Sequence, residues 1–430
     1  MTAATRYRSF ATALAVVTSV FLSPLAALAN NPAEQADINN EVTDFCSSQR
    51  YLDLITAELQ VWISSAVSKT KEHANEANLL RLAERKHATT GRGTAYAFLA
   101  ALAQQRAAAA AQHAERIAKN AAAAIEQIAR RTGEQAAYAM HVTENNEVSN
   151  FKHTATSETR VKLTQSNAPK GRCKAESTTP ASLAVDCTEK LQGKKHLAKI
   201  TTVLRQLTKL KIATAQAMIK PALTIVFEAH GDLTTSASWK AATARHSCQN
   251  KGTADETLSD ATTAMLIDKV TYPTTLQLTE VELADQDQAE VAASSHPTSN
   301  QRTVYTSVKA IAAALKAAQQ ASPYTAKLLA DETISSLASL PAAHYMAGLI
   351  SGTKTKTETA AATTQNVGKT IFTKEEGSIK DDFFVPLTSD SNSIPTETDT
   401  ITGTTQAIAE GPNFEKAMAY YTVQNLKKAV

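Results

Sequence analysis

The sequence predicts an all-α fold, an elongated antiparallel helical hairpin or coiled-coil rod that carries a disulfide-stapled, loop-rich lobe and a smaller second lobe. Three observations predict it. Apolar residues recur at threes and fours over two long proline-free stretches on either side of Gly91-Arg92-Gly93. Aromatic residues are only 5% of the chain, while alanine, threonine, glutamine and lysine are frequent, which suits narrow helix seams and not thick core layers. Turn residues and three of the four cysteines collect in mid-chain.

The chain opens with a secretory signal. Arg6 and Arg8 form a positive n-region, an apolar run follows from Phe10 to about Leu22, and Pro24 ends it. That run falls short of the roughly 20 apolar residues a membrane span needs. Ala27-Leu28-Ala29 offers small residues to a peptidase, so cleavage is expected between Ala29 and Asn30. Removing the two arginines from 44 basic residues leaves 42 against 41 acidic ones. A charge balance near zero argues against a nucleic-acid binder.

The first long helix is read from Asn40 to about Thr90, with Val42, Phe45, Leu52, Ile55, Leu59, Ile63 and Val67 on its stripe. Gly91-Arg92-Gly93 breaks it, and Thr94 is placed to cap a restart. The second helix, about Ala95 to Tyr138, carries Phe98, Leu99, Leu102, Ile117, Ile125 and Ile128, with the tract Ala107–Ala111 suited to a close seam. A three-residue break favours folding the two back antiparallel. About 45 residues at 1.5 Å each give roughly 70 Å, and helices of this kind must bury each other's stripes to persist in water.

Residues 144–300 form the lobe. One helical stretch is read inside it from Leu197, Ile200, Leu204 and Leu207, and short strands at Ile225–Phe227 and Thr274–Leu278. Helix returns from about Thr303 to Leu340, with Pro323 expected to kink or split it. Ser351–Thr404 is polar and threonine-rich, with Phe383-Phe384-Val385-Pro386 as its main apolar spot, and a last helix runs from about Asn413 to Lys428. The domain plan is therefore 1–29 signal peptide and 30–430 a single domain. Within it, 30–143 is the hairpin, 144–300 the lobe, 301–345 the return helix, and 346–430 the second lobe and final helix.

No residue pattern supports an enzyme, a cofactor or a metal. Gly91-Arg92-Gly93 lacks the third glycine and the preceding strand of a dinucleotide fingerprint. Lys194, Lys195, Lys199, Arg205, Lys209 and Lys211 have no interleaved aromatic residue and read as a solvated face. The ten histidines include no H-E-x-x-H and no close pair, and no G-x-S-x-G elbow or P-loop occurs. No N-x-[ST] sequon is present; in Asn392-Ser393-Ile394 the serine comes one position early. Cys46, Cys173, Cys187 and Cys248 in a secreted chain imply two disulfides, with three possible pairings.

These features coincide with an early cysteine followed by Tyr51-Leu52. They coincide also with a closing Phe414-Glu415-Lys416-Ala417-Met418-Ala419-Tyr420-Tyr421 that leads into a basic end. Together they resemble the N-terminal domain of a trypanosome variant surface glycoprotein of the four-cysteine class, over essentially the whole mature chain. The resemblance implies a homodimer at the cell surface that shields the membrane and mediates immune evasion by antigenic variation. Host antibodies would be its recognisers, its action would be steric, and no nucleic acid would be a partner. It also implies the pairings Cys46–Cys187 and Cys173–Cys248. The family continues into a cysteine-rich C-terminal domain and a GPI-anchor signal. This chain stops at Leu426-Lys427-Lys428-Ala429-Val430, which reads as a truncated product, a fragment or a shed form. The membrane would be reached only through a lipid anchor not present here. Alternatives are a nutrient receptor for host serum proteins on the same scaffold and a structural coiled-coil adhesin.

Overall fold

The computed structural model describes residues 32–142, 147–148, 151–156, 172–176, 185–219, 224–231, 240–242, 247–249, 263–271, 276–283, 305–352 and 364–429. The signal segment, with Ala29 and Asn30, lies outside them, as do the side chains of Cys173 and Cys248.

Helix dominates. After α1 (Pro32–Glu41), the two long helices are α2 (Phe45–His87) and α3 (Gly93–Val142). They pack antiparallel. Ser48 and Gln49 of α2 hydrogen-bond to Gln135 and Thr132 of α3 at 3.0–3.3 Å, and Thr70 Oγ1 donates to the Ala110 carbonyl at 3.3 Å. A threonine can reach a carbonyl on the facing helix only where small residues let the backbones approach, and Ala103, Ala110, Ala121 and Ala124 are all buried. The turn comes where Gly91–Gly93 predicts it, with α3 resuming at Gly93, one residue ahead of the expected cap.

The chain divides into two compact units. The first takes Leu59–Ala121 of the hairpin and everything from Gln320 onward. Its core gathers Leu80, Ala83, Tyr96 and Leu99 with Ile334, Leu337, Ile371, Phe372 and Phe383. Phe383, from the main apolar spot of a polar region, stands edge-on to both Tyr96 and Phe372 at 5.6 Å, and its carbonyl accepts from the Tyr96 hydroxyl at 3.0 Å.

The second unit takes Ala29–Glu58 and Ala122–Gln319. It holds α1, three strand groups and α7 (Val308–Gln320). Strands β2 (Lys152–Thr156) and β3 (Arg172–Glu176) pair antiparallel, as do β4 (Lys209–Ala213) and β9 (Leu278–Glu282). A five-stranded antiparallel sheet centres on β8 (Thr263–Thr271), which pairs with β1 (Glu147–Val148), β5 (Thr224–Gly231) and β7 (Ser247–Gln249); β6 (Lys240–Ala242) pairs with β7.

The strand content exceeds the two short strands expected. Ile225–Phe227 falls inside β5. Of Thr274–Leu278 only Leu278 is strand; 276–277 are irregular and 272–275 lie outside the described residues. The helical stretch expected near Leu197–Leu207 is three single turns: a 3-10 turn Leu197–Lys199, α5 (Ile200–Val203) and a 3-10 turn Leu204–Gln206, following the short α4 (Thr188–Leu191). Leu197, Ile200 and Leu204 still point inward, so the spacing marked burial correctly while the helix does not propagate. A short helix, α6 (Ala215–Ile219), follows β4.

The return helix ends at Gln320. Pro323 disfavours helix at the residue before it, and residues 321–328 run without regular structure. The 3-10 turn Leu329–Asp331 and α8 (Ile334–Ala338) follow, then α9 (Pro341–Ile350), which places Pro341 in its first turn, and α10 (Thr364–Phe372). A π-turn at Lys380–Phe384 leads into α11 (Val385–Ser389), the hairpin β10 (Asn392–Pro395) with β11 (Thr400–Gly403), α12 (Thr405–Glu410) and α13 (Phe414–Ala429).

Candidate functional site

A dense set of polar contacts surrounds the start of α2. Asp44 accepts from the Ser47 amide at 2.8 Å while Ser47 Oγ accepts from the Asp44 amide at 3.1 Å, a reciprocal cap of the first turn. Burial alone would raise the Asp44 pKa. The hydrogen bonds from Ser47 and Lys194 outweigh it, and the pKa is lowered. Cys46 sits inside this fixed turn and is joined to Cys187, the residue preceding α4, with Cα atoms 5.4 Å apart across 141 residues of sequence.

Salt links reinforce the staple. Lys194 Nζ reaches Asp44 at 2.9 Å and Thr43 Oγ1 at 2.7 Å. Glu41, at the end of α1, accepts from the main-chain amides of His196 and Leu197 at 2.8 and 2.9 Å and faces His196 Nδ1 at 2.8 Å. Lys199 pairs with Glu34 at 3.2 Å and Lys209 with Glu280 at 3.9 Å. Arg205 is half-buried with Glu58 nearby. Three of the six cations singled out in the sequence are therefore matched to carboxylates. Glu34, Glu41 and Asp44 carried no motif; the signal available was only the Asp44-x-x-Ser47 capping spacing.

Among the described residues the histidines do not all converge on one site. His87 stacks on Tyr96 at 4.9 Å, His196 faces Glu41, and His73 and His113 both approach Tyr324. His344 is half-buried on α9. The side chains of His141, His153, His230, His246 and His296 lie outside the described residues. Among the described residues no group of three His, Cys, Asp or Glu side chains could hold a metal, and no helix is long and apolar enough to cross a membrane.

Compared with protein-family models and with curated protein sequences, the chain matches none. Its fold does match solved structures. The variant surface glycoprotein VSGsur bound to suramin superposes with a TM-score of 0.67 at 17% identity, covering 90% of this chain and 99% of that one. VSGsur by itself gives 0.57 with the same identity and coverage. The fold of this chain is thus that of the variant surface glycoproteins, the family its sequence resembles.

Proposed function

We propose that this chain is the N-terminal domain of a surface-coat antigen that shields a parasite membrane and serves immune evasion by antigenic variation. The reading rests on one observation: a fold likeness to VSGsur that extends over 90% of this chain and 99% of the other. A coat protein acts by occupying space, so no catalytic residue, cofactor or metal is assigned. The domain is read as residues 30–430, following a signal peptide cleaved between Ala29 and Asn30. The cell surface, reached through the secretory pathway, is its location, and a lipid anchor its route to the membrane.

A twofold homodimer is part of the proposal. On α2, Val61 and Val67 are 51% and 58% exposed, large apolar side chains on a helix whose other face is already buried against α3. A second copy would cover them symmetrically and leave no open end for further growth. Sedimentation equilibrium over a concentration series tests it; monomer mass at high micromolar concentration removes the dimer from the reading.

Antibodies raised to the recombinant chain should label unfixed cells uniformly over their surface, and the label should be lost on phospholipase C treatment. Intracellular label only would overturn the proposal. A pulldown of host serum proteins on the same chain distinguishes a coat from a nutrient receptor: saturable retention of one serum protein would replace the coat reading with the receptor.

A further inference from the structure

We propose that the segment Ala321–Asp331 is an acid-released strap, held on the α2–α3 hairpin at neutral pH, with His73 as its trigger. The segment has no regular structure up to Leu329, so side chains of the hairpin hold it. Its Tyr324 ring lies between two histidines, His73 of α2 at 5.1 Å edge-on and His113 of α3 at 5.5 Å. On the α3 side, Arg106 donates to the Lys327 carbonyl at 2.6 Å and pairs with Glu332 at 3.0 Å, and His113 Nδ1 meets the Ser322 carbonyl at 3.1 Å. From α2, Glu76 Oε1 accepts from the Ala330 amide at 3.0 Å.

His73 is the member of this set that cannot tolerate a proton. It is 1% exposed, and neither ring nitrogen has a partner in good hydrogen-bonding geometry. A buried imidazolium there would have only the Ala326 main chain to turn to, and not in good hydrogen-bonding geometry, where a cation requires acceptors. Burial is the largest influence disfavouring the charged ring, and Arg106 and Lys69 add repulsion; only the Ala326 main chain and Glu72 favour it. The His73 pKa is accordingly lowered.

The other titratable groups do not do the same. A carbonyl only accepts, so neutral His113 carries its proton on Nδ1, and protonating Nε2 leaves the Ser322 bond in place. Glu76 is buried with a raised pKa, burial being the main cause and Asp331 a lesser one, with Arg106 and the amides of Leu329 and Ala330 opposing. A carboxyl whose folded pKa is raised favours the folded state as pH falls, so Glu76 opposes release. Arg106 and Glu332 hold each other, and Tyr324 is pushed further up by burial, away from the acid range. For His73 the folded pKa lies below the unfolded value of about 6.5. The stability it lends is complete above that pH and drains as pH falls below it.

Hydrogen exchange on the full chain, corrected for intrinsic rates, tests this. Protection over 322–331 should fall several-fold between pH 7 and pH 5, while the α2 and α3 amides near Thr70 and Ala110 keep theirs. His73→Phe, apolar and unable to protonate, should hold its protection at pH 5, and His113→Asn should lose protection at both pH values yet keep the acid dependence. Equal protection of the wild type at both pH values, or the same acid loss in His73→Phe, would overturn the proposal. Should His73→Phe not fold, His73→Met serves, and titration of the His73 ring proton in the wild type gives an independent answer. A midpoint at or above that of an ordinary histidine refutes the trigger.

Discussion

Lys86 and Asp390, 304 residues apart in sequence, meet at 2.6 Å with both side chains largely buried. Asp390 also accepts from the Thr405 amide at 2.7 Å and the Thr405 hydroxyl at 2.6 Å, so its carboxylate joins the end of α2 to the start of α12. Burial alone would raise the Asp390 pKa, but the Lys86 and Thr405 hydrogen bonds outweigh it and the pKa is lowered. Asp390→Asn removes the charge and leaves Lys86 uncompensated. The expected cost is about 3 kcal/mol, read as a lower urea midpoint at pH 7. A carboxylate with a depressed folded pKa stabilises above its unfolded value, near 4, and that stability drains as pH falls through the folded one. The difference between wild type and Asp390→Asn should therefore shrink below about pH 4; a gap unchanged at pH 2.5 would mean the carboxylate is not what the variant removes.

The Cys46–Cys187 bond closes a span of 141 residues. In the chain-entropy account that is about 5 kcal/mol, so Cys46→Ser with Cys187→Ser should lower the melting temperature by many degrees while leaving the far-UV helical signal of the hairpin. For the other two cysteines the expected linkage is Cys173–Cys248. Their strands, β3 and β7, both neighbour β2. Non-reducing peptide mapping should return both bonds; a free thiol or a crossed pair refutes the assignment.

What could be read in advance follows from how far each element's cause lies from it. The hairpin was legible because its stripe is local: Leu52, Ile55 and Leu59 recur at helical spacing and all are fully buried, although Val67, placed on the same stripe, is exposed. Phe383 was legible as part of the main apolar spot in a polar stretch. The strand β4 was legible only in retrospect. Apolar spacing runs at threes and fours through Leu207, then Lys209-Leu210-Lys211-Ile212 switches to alternation, with Leu210 and Ile212 buried. Read as a continued helix, the two lysines joined a cation cluster; as a strand they face Glu282 and Glu280 across β9. The strap was not legible beyond its start. Pro323 announces the end of α7, but the irregular run 322–328 is held by His73, Arg106 and His113, more than 200 residues upstream.

Among the described residues, Arg131 is the largest fully buried side chain. Its guanidinium donates to the Ala213 carbonyl at 2.9 Å and to the Thr306 carbonyl, and pairs with Glu134, which itself accepts from the Thr306 amide and hydroxyl. One fork thus ties α3 to the end of β4 and the approach to α7. Arg131→Met leaves two buried carbonyls and a carboxylate short of donors, at an expected 3–5 kcal/mol. Arg131→Lys keeps the charge but not the planar fork, and should recover only part of it. Guanidinium unfolding of the three proteins orders them; a lysine variant as stable as wild type would show that charge alone suffices.

The hairpin turn offers a comparison between two glycines two residues apart. Gly93 opens α3, its amide donating to the Thr90 carbonyl at 2.9 Å, and Thr90 in turn closes back on His87 through both its amide and its hydroxyl. A Cβ on Gly93 would meet the His87 and Ala88 carbonyl oxygens at 2.8 and 2.9 Å, closer than side chains sit to main chain. Those oxygens belong to the last turn of α2 and the residue after it, so relief would need the backbone of the turn to move. Gly93→Ala should cost about 1–3 kcal/mol. At Gly91 a Cβ meets nothing within 4 Å. Gly91→Ala should be neutral or stabilise by up to about 1 kcal/mol, because alanine restricts the unfolded chain more than glycine does. Thermal melts of the two variants side by side decide it. If both lose stability equally, the turn is held by glycine flexibility in general; only a loss confined to Gly93 supports close approach of the two helix ends as the reason a glycine stands there.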